Sequence, residues 1–129
     1  MRLNKTQRAH VKAKFGGRCA YCGSVLEDRF HVDHLAAVGR MMDYVRGYGF
    51  KRTGALMKPE NDTLENMFPA CPACNIDKHA MTLEQWRQKL ERSIEVLQRN
   101  STTYRHALRF AQVVETRRPV VFFFEQVRI

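Results

Sequence analysis

Long apolar runs are missing from the 129-residue sequence, and none approaches the roughly 20 residues of a membrane-spanning helix. The N-terminus also lacks the charged, apolar and small-residue order of a signal peptide. We therefore expect a cytoplasmic protein with no membrane partner. Internal repeats, low-complexity tracts and linkers are absent too, so the length predicts a single domain over residues 1–129.

Acidic residues are scarce, and the first 18 residues contain none. The whole chain has 22 Lys and Arg residues against 13 Asp and Glu residues, which gives a net charge of +9. Six of the basic side chains fall within the first 18 residues: Arg2, Lys5, Arg8, Lys12, Lys14 and Arg18. This excess favours a polyanionic partner, most often nucleic acid, although it also fits a solvated surface.

The four cysteines form two CxxC pairs, Cys19 with Cys22 and Cys71 with Cys74. Disulfides are uncommon in a reducing compartment, whereas four thiolates complete the tetrahedral shell that structural Zn²⁺ prefers. A redox CxxC, or four unrelated buried thiols, are the alternatives. The separation is unusual, because 48 residues lie between Cys22 and Cys71, against about 15 to 20 in a short zinc ribbon.

Part of this insert is the sequence His31-Val32-Asp33-His34. In a regular strand Asp33 and His34 would face opposite ways. One way to form a shared site is for the strand to lead into a loop and helix that fold over it. A carboxylate that holds a hard cation, beside a histidine that takes a proton from water, suits metal-assisted hydrolysis. Taken alone, the pair is weak evidence for such a site, and a surface or structural role is the default interpretation.

Asn75 directly follows the second CxxC, so a zinc turn would fix its position on the next helix. Its amide oxygen is a neutral hard ligand, suited to share a Mg²⁺ ion with Asp33. The segments VDH at 32–34 and ENMFPACPACN at 65–75, followed by Lys78, resemble the HNH or ββα-metal endonucleases.

This resemblance covers about half of the chain, residues 17–80. It implies an α+β fold with a ββα-metal (His-Me finger) core and a structural zinc site of four cysteines, flanked by helices and a C-terminal strand. It also implies that His34 is the general base, that Asp33 and Asn75 are ligands of one catalytic Mg²⁺, and that Asn66 braces the loop that carries the base. The implied activity is hydrolysis of a DNA phosphodiester, similar to that of small phage or mobile-element endonucleases.

Several further residues are candidates for the same site. His79 follows Asn75 by four residues on one helical face and is a possible ligand of the metal or a phosphate. His31 is a candidate for a packing or phosphate role. The predicted contacts to the DNA backbone come from Arg18, Lys78, Lys12 and Lys14.

Two interpretations without catalysis compete with the endonuclease. A zinc-stabilised nucleic-acid-binding module explains the cysteines and the charge, but leaves Asp33, His34, Asn66 and Asn75 as coincidence. A degenerate nuclease fold could instead act as an adaptor with a protein partner in a phage-packaging or mobile-element assembly. If the chain is an enzyme, a monomer with one site would nick DNA and a dimer could cut both strands.

The rest of the sequence predicts the elements that flank this motif. Glycines at 39, 47, 49 and 54 favour a long loop over 36–62, and the alternation after Cys22 favours a hairpin within 19–35. Trp86 and the triple phenylalanine at 122–124 are predicted to be core residues. The predicted helices cover 4–15, 82–99 and 102–115, and the predicted C-terminal strand covers 120–127.

Overall fold

The computed structural model describes residues 1–127, so the last two residues of the predicted C-terminal region lie outside it. Helices and strands follow one another as α1 (Lys5–Ala13), β1 (His31–His34), β2 (Arg40–Val45), β3 (Gly49–Leu56), β4 (Met67–Ala70), α2 (Pro72–Lys78), α3 (Leu83–Glu91), α4 (Ser93–Asn100), α5 (Thr102–Arg109) and α6 (Phe123–Gln126). This mixture, with two small antiparallel sheets, confirms the α+β class. None of the helices within residues 1–127 is long and apolar enough to span a membrane.

Helix α1 begins and ends as the sequence predicts. Asn4 and Gln7 form a reciprocal capping box at its start, which satisfies two backbone N–H groups. At its end, Gly17 has a positive φ of 80° and its N–H donates to the carbonyl of Lys12 at 3.1 Å. A left-handed residue of this kind stops a helix with little strain when it is glycine.

Strand β1 pairs antiparallel with β4, with His31 opposite Ala70 and His34 opposite Met67. The prediction that β1 belongs to a hairpin within residues 19–35 is therefore wrong. The segment before β1 instead folds into turns around the first cysteine pair, with a single bridge between Arg18 and Val25. Helix α2 starts two residues after β4, so β1, β4 and α2 form one continuous unit.

The prediction of a long loop over 36–62 is also wrong. Strands β2 and β3 form an antiparallel hairpin in this segment, with Tyr44 opposite Phe50. Gly47 and Gly49 have φ values of +84° and +99°, so these glycines mark the hairpin turn rather than an irregular loop.

The predicted helix over 82–99 is broken at Arg92, where ψ is 4°. The hydroxyl of Ser93 donates to the carbonyl of Leu90 at 2.6 Å and so competes with the helical hydrogen-bond ladder. The predicted helix over 102–115 ends at Arg109, because Ala111 adopts a positive φ of 56°. Glu115 then turns back and accepts a hydrogen bond from Tyr104 at 2.8 Å.

An aromatic core joins the C-terminal segment to the cysteine region. Trp86 is 2% exposed and stacks on Phe122 with ring centroids 5.1 Å apart, which confirms both as core residues. The predicted strand over 120–127 is wrong, since α6 occupies its centre. Glu125 accepts a hydrogen bond from the Phe122 N–H at 2.9 Å and so supports a helical turn. The N–H of Phe124 donates to the carbonyl of Ala20 at 2.8 Å.

Candidate metal centre and adjoining polar site

The first CxxC turn is shaped by backbone hydrogen bonds and one glycine. Cys19 N–H donates to the Ser24 carbonyl at 2.8 Å, and Gly23 N–H donates to the Cys19 carbonyl at 3.0 Å. Gly23 has a φ of +78°, and a Cβ atom there would lie 2.9 Å from Cδ1 of Phe123. Both conditions favour glycine, so the residue after the CxxC maintains the turn and its packing on the C-terminal segment.

The second CxxC turn links β4 to α2 and lies beside the first. Ala20 N–H donates to the Pro69 carbonyl at 2.8 Å, which ties the two turns together through the backbone. The four cysteine sulfur atoms all lie within 4.8 Å of one another. A tetrahedral Zn²⁺ with bonds of about 2.3 Å requires sulfur atoms about 3.8 Å apart, and the Sγ atoms of Cys22 and Cys71 are separated by 3.8 Å. The donor set therefore fits zinc, and the predicted cysteine cluster is confirmed.

A hydrogen bond between two of the thiols favours the deprotonated thiolate form of one of them. A hydrogen bond with Cys74 lowers the pKa of the Cys19 thiol to about 4. The same hydrogen bond, with burial, raises the pKa of the Cys74 thiol. One cysteine of the cluster is thus readily a thiolate, which is the form that binds a metal ion.

Asp33 lies in a buried polar cluster beneath α2. Its Oδ2 atom accepts a hydrogen bond from the Tyr21 hydroxyl and lies 3.0 Å from Nζ of Lys78. Burial, and then the charge of Asp33, raise the pKa of Tyr21, so its hydroxyl remains a donor. The side chain of Lys78 has no exposed surface, and that of Asp33 is 9% exposed. Both contacts fall on Oδ2, and within residues 1–127 no hydrogen bond or ion pair involves Oδ1.

Successive side chains of β1 point to opposite sides of the strand, so its polar residues have two different sets of partners. His31 and Asp33 both contact α2, because Nδ1 of His31 lies 2.8 Å from Nδ2 of Asn75 while Asp33 meets Lys78. Lys78 also donates to the carbonyl of His34 at 3.2 Å, which holds the end of the strand. Asp33 and Asn75 therefore both adjoin the contact between β1 and α2, and the partner of the Asn75 amide nitrogen is His31.

The side chain of His34 leaves β1 in the other direction. Its Nε2 atom lies 3.0 Å from Oδ1 of Asp62, and 18% of the side chain is exposed. Asp62 also accepts a hydrogen bond from the N-terminal amine of Met1. Hydrogen bonds from this amine and from His34 lower the pKa of Asp62, so a carboxylate faces the imidazole. Sequence reasoning missed Asp62, for which the Asn61-Asp62 turn was the available signal.

Asn66 ties down the loop that follows His34. Its Oδ1 atom accepts from the N–H of Ala36 at 2.9 Å, and its Nδ2 atom donates to the carbonyls of Ala36 at 2.8 Å and Asn61 at 2.7 Å. Its own carbonyl accepts from Leu35 N–H at 2.9 Å. These four bonds join Asn66 to the backbone of Leu35, Ala36 and Asn61.

Comparison with known proteins adds no family assignment. Neither a family model, nor a curated protein, nor a solved structure matches this chain.

The predicted phosphate-contacting residues fall into two groups. Lys78 is buried, and Nζ of Lys14 donates to the carbonyls of Leu64 and Met67 at 2.6 and 2.7 Å, so both ammonium groups are engaged inside the fold. In this conformation Lys78 cannot reach a DNA phosphate, which corrects that assignment. Arg18 is exposed and Lys12 is half-buried, so these two reach solvent.

His79 lies just beyond α2 rather than within it. It is exposed, and its φ of +51° turns the chain away from the helical path. A histidine at this position does not continue the face of α2 on which the sequence predicted it. Tyr21, which lies between the first two cysteines, is instead the unpredicted residue that contacts Asp33.

Proposed function

We propose that this protein is a metal-dependent DNA endonuclease that uses His34 as its general base. The supporting observation is that the four motif residues lie on or directly beside the same short unit of two strands and a helix. Asp33 and His34 end β1, Asn66 directly precedes β4, and Asn75 lies on α2, which follows β4. Two antiparallel strands followed by a helix, with a cysteine cluster at the joint, support the interpretation of the sequence as a ββα-metal unit.

The zinc cluster would serve this unit as a structural centre. Cys71 and Cys74 flank the start of α2, and the cluster connects this helix to the turn that carries Tyr21. Metal binding of this kind contributes directly to folding. Four cysteine ligands complete the coordination shell, and a closed shell is typical of structural rather than catalytic zinc.

The donors for a second, catalytic cation are suited to Mg²⁺. A carboxylate oxygen of Asp33 and the amide oxygen of Asn75 are hard ligands, and Oδ1 of Asp33 is not used by Tyr21 or Lys78. A Mg²⁺ ion held by these two residues would supply Lewis-acid stabilisation of the charge that develops on the phosphate.

His34 and Asp62 would carry the proton chemistry. If Nε2 of His34 donates to Asp62, the lone pair of Nδ1 is free to accept a proton from water. The water oxygen then bonds to phosphorus in line with the leaving group, as the bond from phosphorus to the 3′-oxygen breaks and the departing 3′-oxygen takes a proton from solvent. Asp62 would hold the tautomer and stabilise the imidazolium that forms, and Asn66 would keep the following loop in place.

Two observations favour the non-catalytic alternative. The first is that the side chain of His34 leaves β1 in the direction opposite to that of Asp33, so the base and the metal ligand do not face one another. The second is the pairing of Asp33. The ammonium of Lys78 lies 3.0 Å from Oδ2 of Asp33 and compensates its charge inside the fold. A carboxylate already paired in this way attracts a divalent cation less strongly. A zinc-stabilised nucleic-acid-binding or packaging-adaptor module would need no second metal, so the choice between the two hypotheses is decided by cleavage.

The test is cleavage of supercoiled plasmid by zinc-loaded protein, with Mg²⁺, Mn²⁺ or no added divalent ion. We expect the wild type to nick or linearise the plasmid and His34→Ala to lose this activity while it retains its fold and zinc. His106→Ala removes a histidine from α5, far along the chain from the motif, and serves as the matched control. Full activity in His34→Ala would eliminate His34 as the base. If the wild type and both variants bind DNA but none of them cleaves it, the non-catalytic alternative is favoured.

A further inference from the structure

The hairpin of β2 and β3 extends from the loop between His34 and Asn66. Its base is closed by Met57 N–H, which donates to the Gly39 carbonyl at 2.7 Å, and by Lys58 N–H, which donates to the Val38 carbonyl at 2.8 Å. Every residue of β2 is exposed. A two-stranded hairpin without a packing partner is only marginally stable in water. This hairpin therefore presents a surface that a partner can order.

The two faces of the hairpin differ in chemistry. Cross-strand pairs share a face, so Met42 with Arg52 and Tyr44 with Phe50 lie on one side, and Asp43 with Lys51 lies on the other. Tyr44 and Phe50 touch edge to face, with centroids 5.6 Å apart, yet they are 68% and 71% exposed. The first side, which we call the aromatic face, combines apolar surface with an arginine and excludes the acidic residue.

Charge identifies the class of partner. Between Arg40 and Lys58 the sequence has five basic residues and one acidic residue, Asp43. Exposed aromatic side chains without charge would suit a protein partner, but this excess of positive charge is complementary to a phosphate backbone.

The dimensions of the hairpin fit duplex DNA. The six residues of β2 extend over about 20 Å, and the major groove, about 12 Å wide, admits a two-stranded ribbon. We propose that the β2–β3 hairpin binds in the major groove of duplex DNA, with the aromatic face directed at the base pairs. This inference deepens the proposed endonuclease function. It rests on that proposal for DNA as the partner, but it does not require that the DNA is cleaved. Arg52 then contacts base edges, while Phe50 contacts the apolar edge of a base pair.

Two adjacent residues provide a charge-matched test of this face assignment. Arg52→Gln and Lys51→Gln each remove one positive charge, but the two side chains point to opposite faces of β3. In the His34→Ala background, where the DNA is not cleaved, binding to a short labelled duplex is measured by fluorescence anisotropy at fixed ionic strength. Arg52→Gln and Phe50→Ala should each raise the Kd on the order of tenfold, and Lys51→Gln, which removes only the general attraction to phosphate, should raise it less.

Other results would overturn the inference. Equal loss in Arg52→Gln and Lys51→Gln would mean that only charge matters, and no loss in any variant would mean that the hairpin does not touch DNA. Weaker binding to the single strand, with duplex binding unchanged, would point to unpaired bases rather than a groove. Zinc content and melting temperature are measured for each variant, and exposed residues such as these should alter neither.

The hairpin inference and the endonuclease proposal can fail separately. The same Arg52→Gln and Lys51→Gln substitutions are also made with His34 intact, and plasmid cleavage is measured. Weaker duplex binding by Arg52→Gln, in a protein whose wild type never cleaves, would retain the hairpin surface and reject the enzyme. Normal binding by Arg52→Gln, in a protein whose wild type cleaves, would do the opposite.

Discussion

Substitution of Lys78 by Met tests the buried ion pair that holds Asp33. Met keeps most of the length and apolar volume of the lysine side chain and removes the ammonium. The Asp33 carboxylate would then keep its hydrogen bond from Tyr21 but lose the cation 3.0 Å away. The end of β1 would also lose the hydrogen bond from Lys78 to the carbonyl of His34.

The expected loss is large because Lys78 has no exposed surface and Asp33 is only 9% exposed. Removal of one partner from a buried pair costs about 3 to 5 kcal/mol, since the other charge remains buried without compensation. Tyr21 still donates to the carboxylate, so we expect a value of about 3 kcal/mol. For a domain of this size the melting temperature would fall by roughly 10 to 15 °C.

Lys89→Met is the matched control, because Lys89 also pairs with an aspartate, Asp77, at 2.6 Å but is 53% exposed. An exposed pair contributes about 0 to 1 kcal/mol. Both variants are compared with the wild type by denaturant unfolding of zinc-loaded protein, and unfolding is monitored by circular dichroism. Equal, small losses in Lys78→Met and Lys89→Met would refute the buried-pair argument. In the double variant Lys78→Met with Asp33→Asn, the loss should be smaller than the sum of the two single losses.

Three further predictions concern the zinc site, the general base and the core. Cys74→Ser should lower zinc content and stability together, because zinc binding contributes to folding; an unchanged ratio of zinc to protein would reject the four-thiolate site. Asp62→Asn should lower the rate of DNA cleavage roughly tenfold or more without changing duplex affinity, and equal rates would remove Asp62 from the mechanism. Trp86→Ala should destabilise the fold by about 3 to 5 kcal/mol, whereas Phe110→Ala, at a residue that is 75% exposed, should change stability by about 0.5 kcal/mol or less.

Local signals in the sequence were sufficient for the two cysteine pairs and for the starts of α1, α3 and α5. A CxxC pair folds into a tight turn wherever it meets a metal, so the spacing of Cys19, Cys22, Cys71 and Cys74 predicts their convergence without knowledge of the path between them. Thr82 and Gln85 likewise form the capping box expected from their spacing. Each CxxC pair and each capping box depends on residues within a few positions of one another.

Glycine misled the prediction for residues 36–62. The same residue type serves irregular loops and hairpin turns, because both require a positive φ. The strands on either side of the hairpin turn, β2 and β3, show no alternation of apolar and polar residues, because β2 is exposed on both faces. Strand prediction depends on that alternation, which arises only where one face of a sheet is buried.

The contacts around Asp33 and His34 depend on residues distant in sequence. Lys78 reaches Asp33 from α2, and Asp62 reaches His34 from the end of the segment predicted as a loop. Lysine is usually a surface residue, and its position shortly after a CxxC gives no signal that it is buried. The burial of Lys78 follows from the packing of α2 on β1. The charge of Lys78 therefore suggested a DNA contact, whereas the fold uses it to neutralise a carboxylate.

The most direct test of the central claim is the chemistry of the product ends. Zinc-loaded wild-type protein is incubated with an end-labelled DNA duplex and Mg²⁺, and the termini of any fragments are identified by gel mobility and by ligation. We predict fragments with 5′-phosphate and 3′-hydroxyl ends, since the 3′-oxygen is the leaving group, and no fragments from His34→Ala. Protein that is folded, contains zinc and binds the duplex, yet releases no fragments with any divalent cation, would contradict the account.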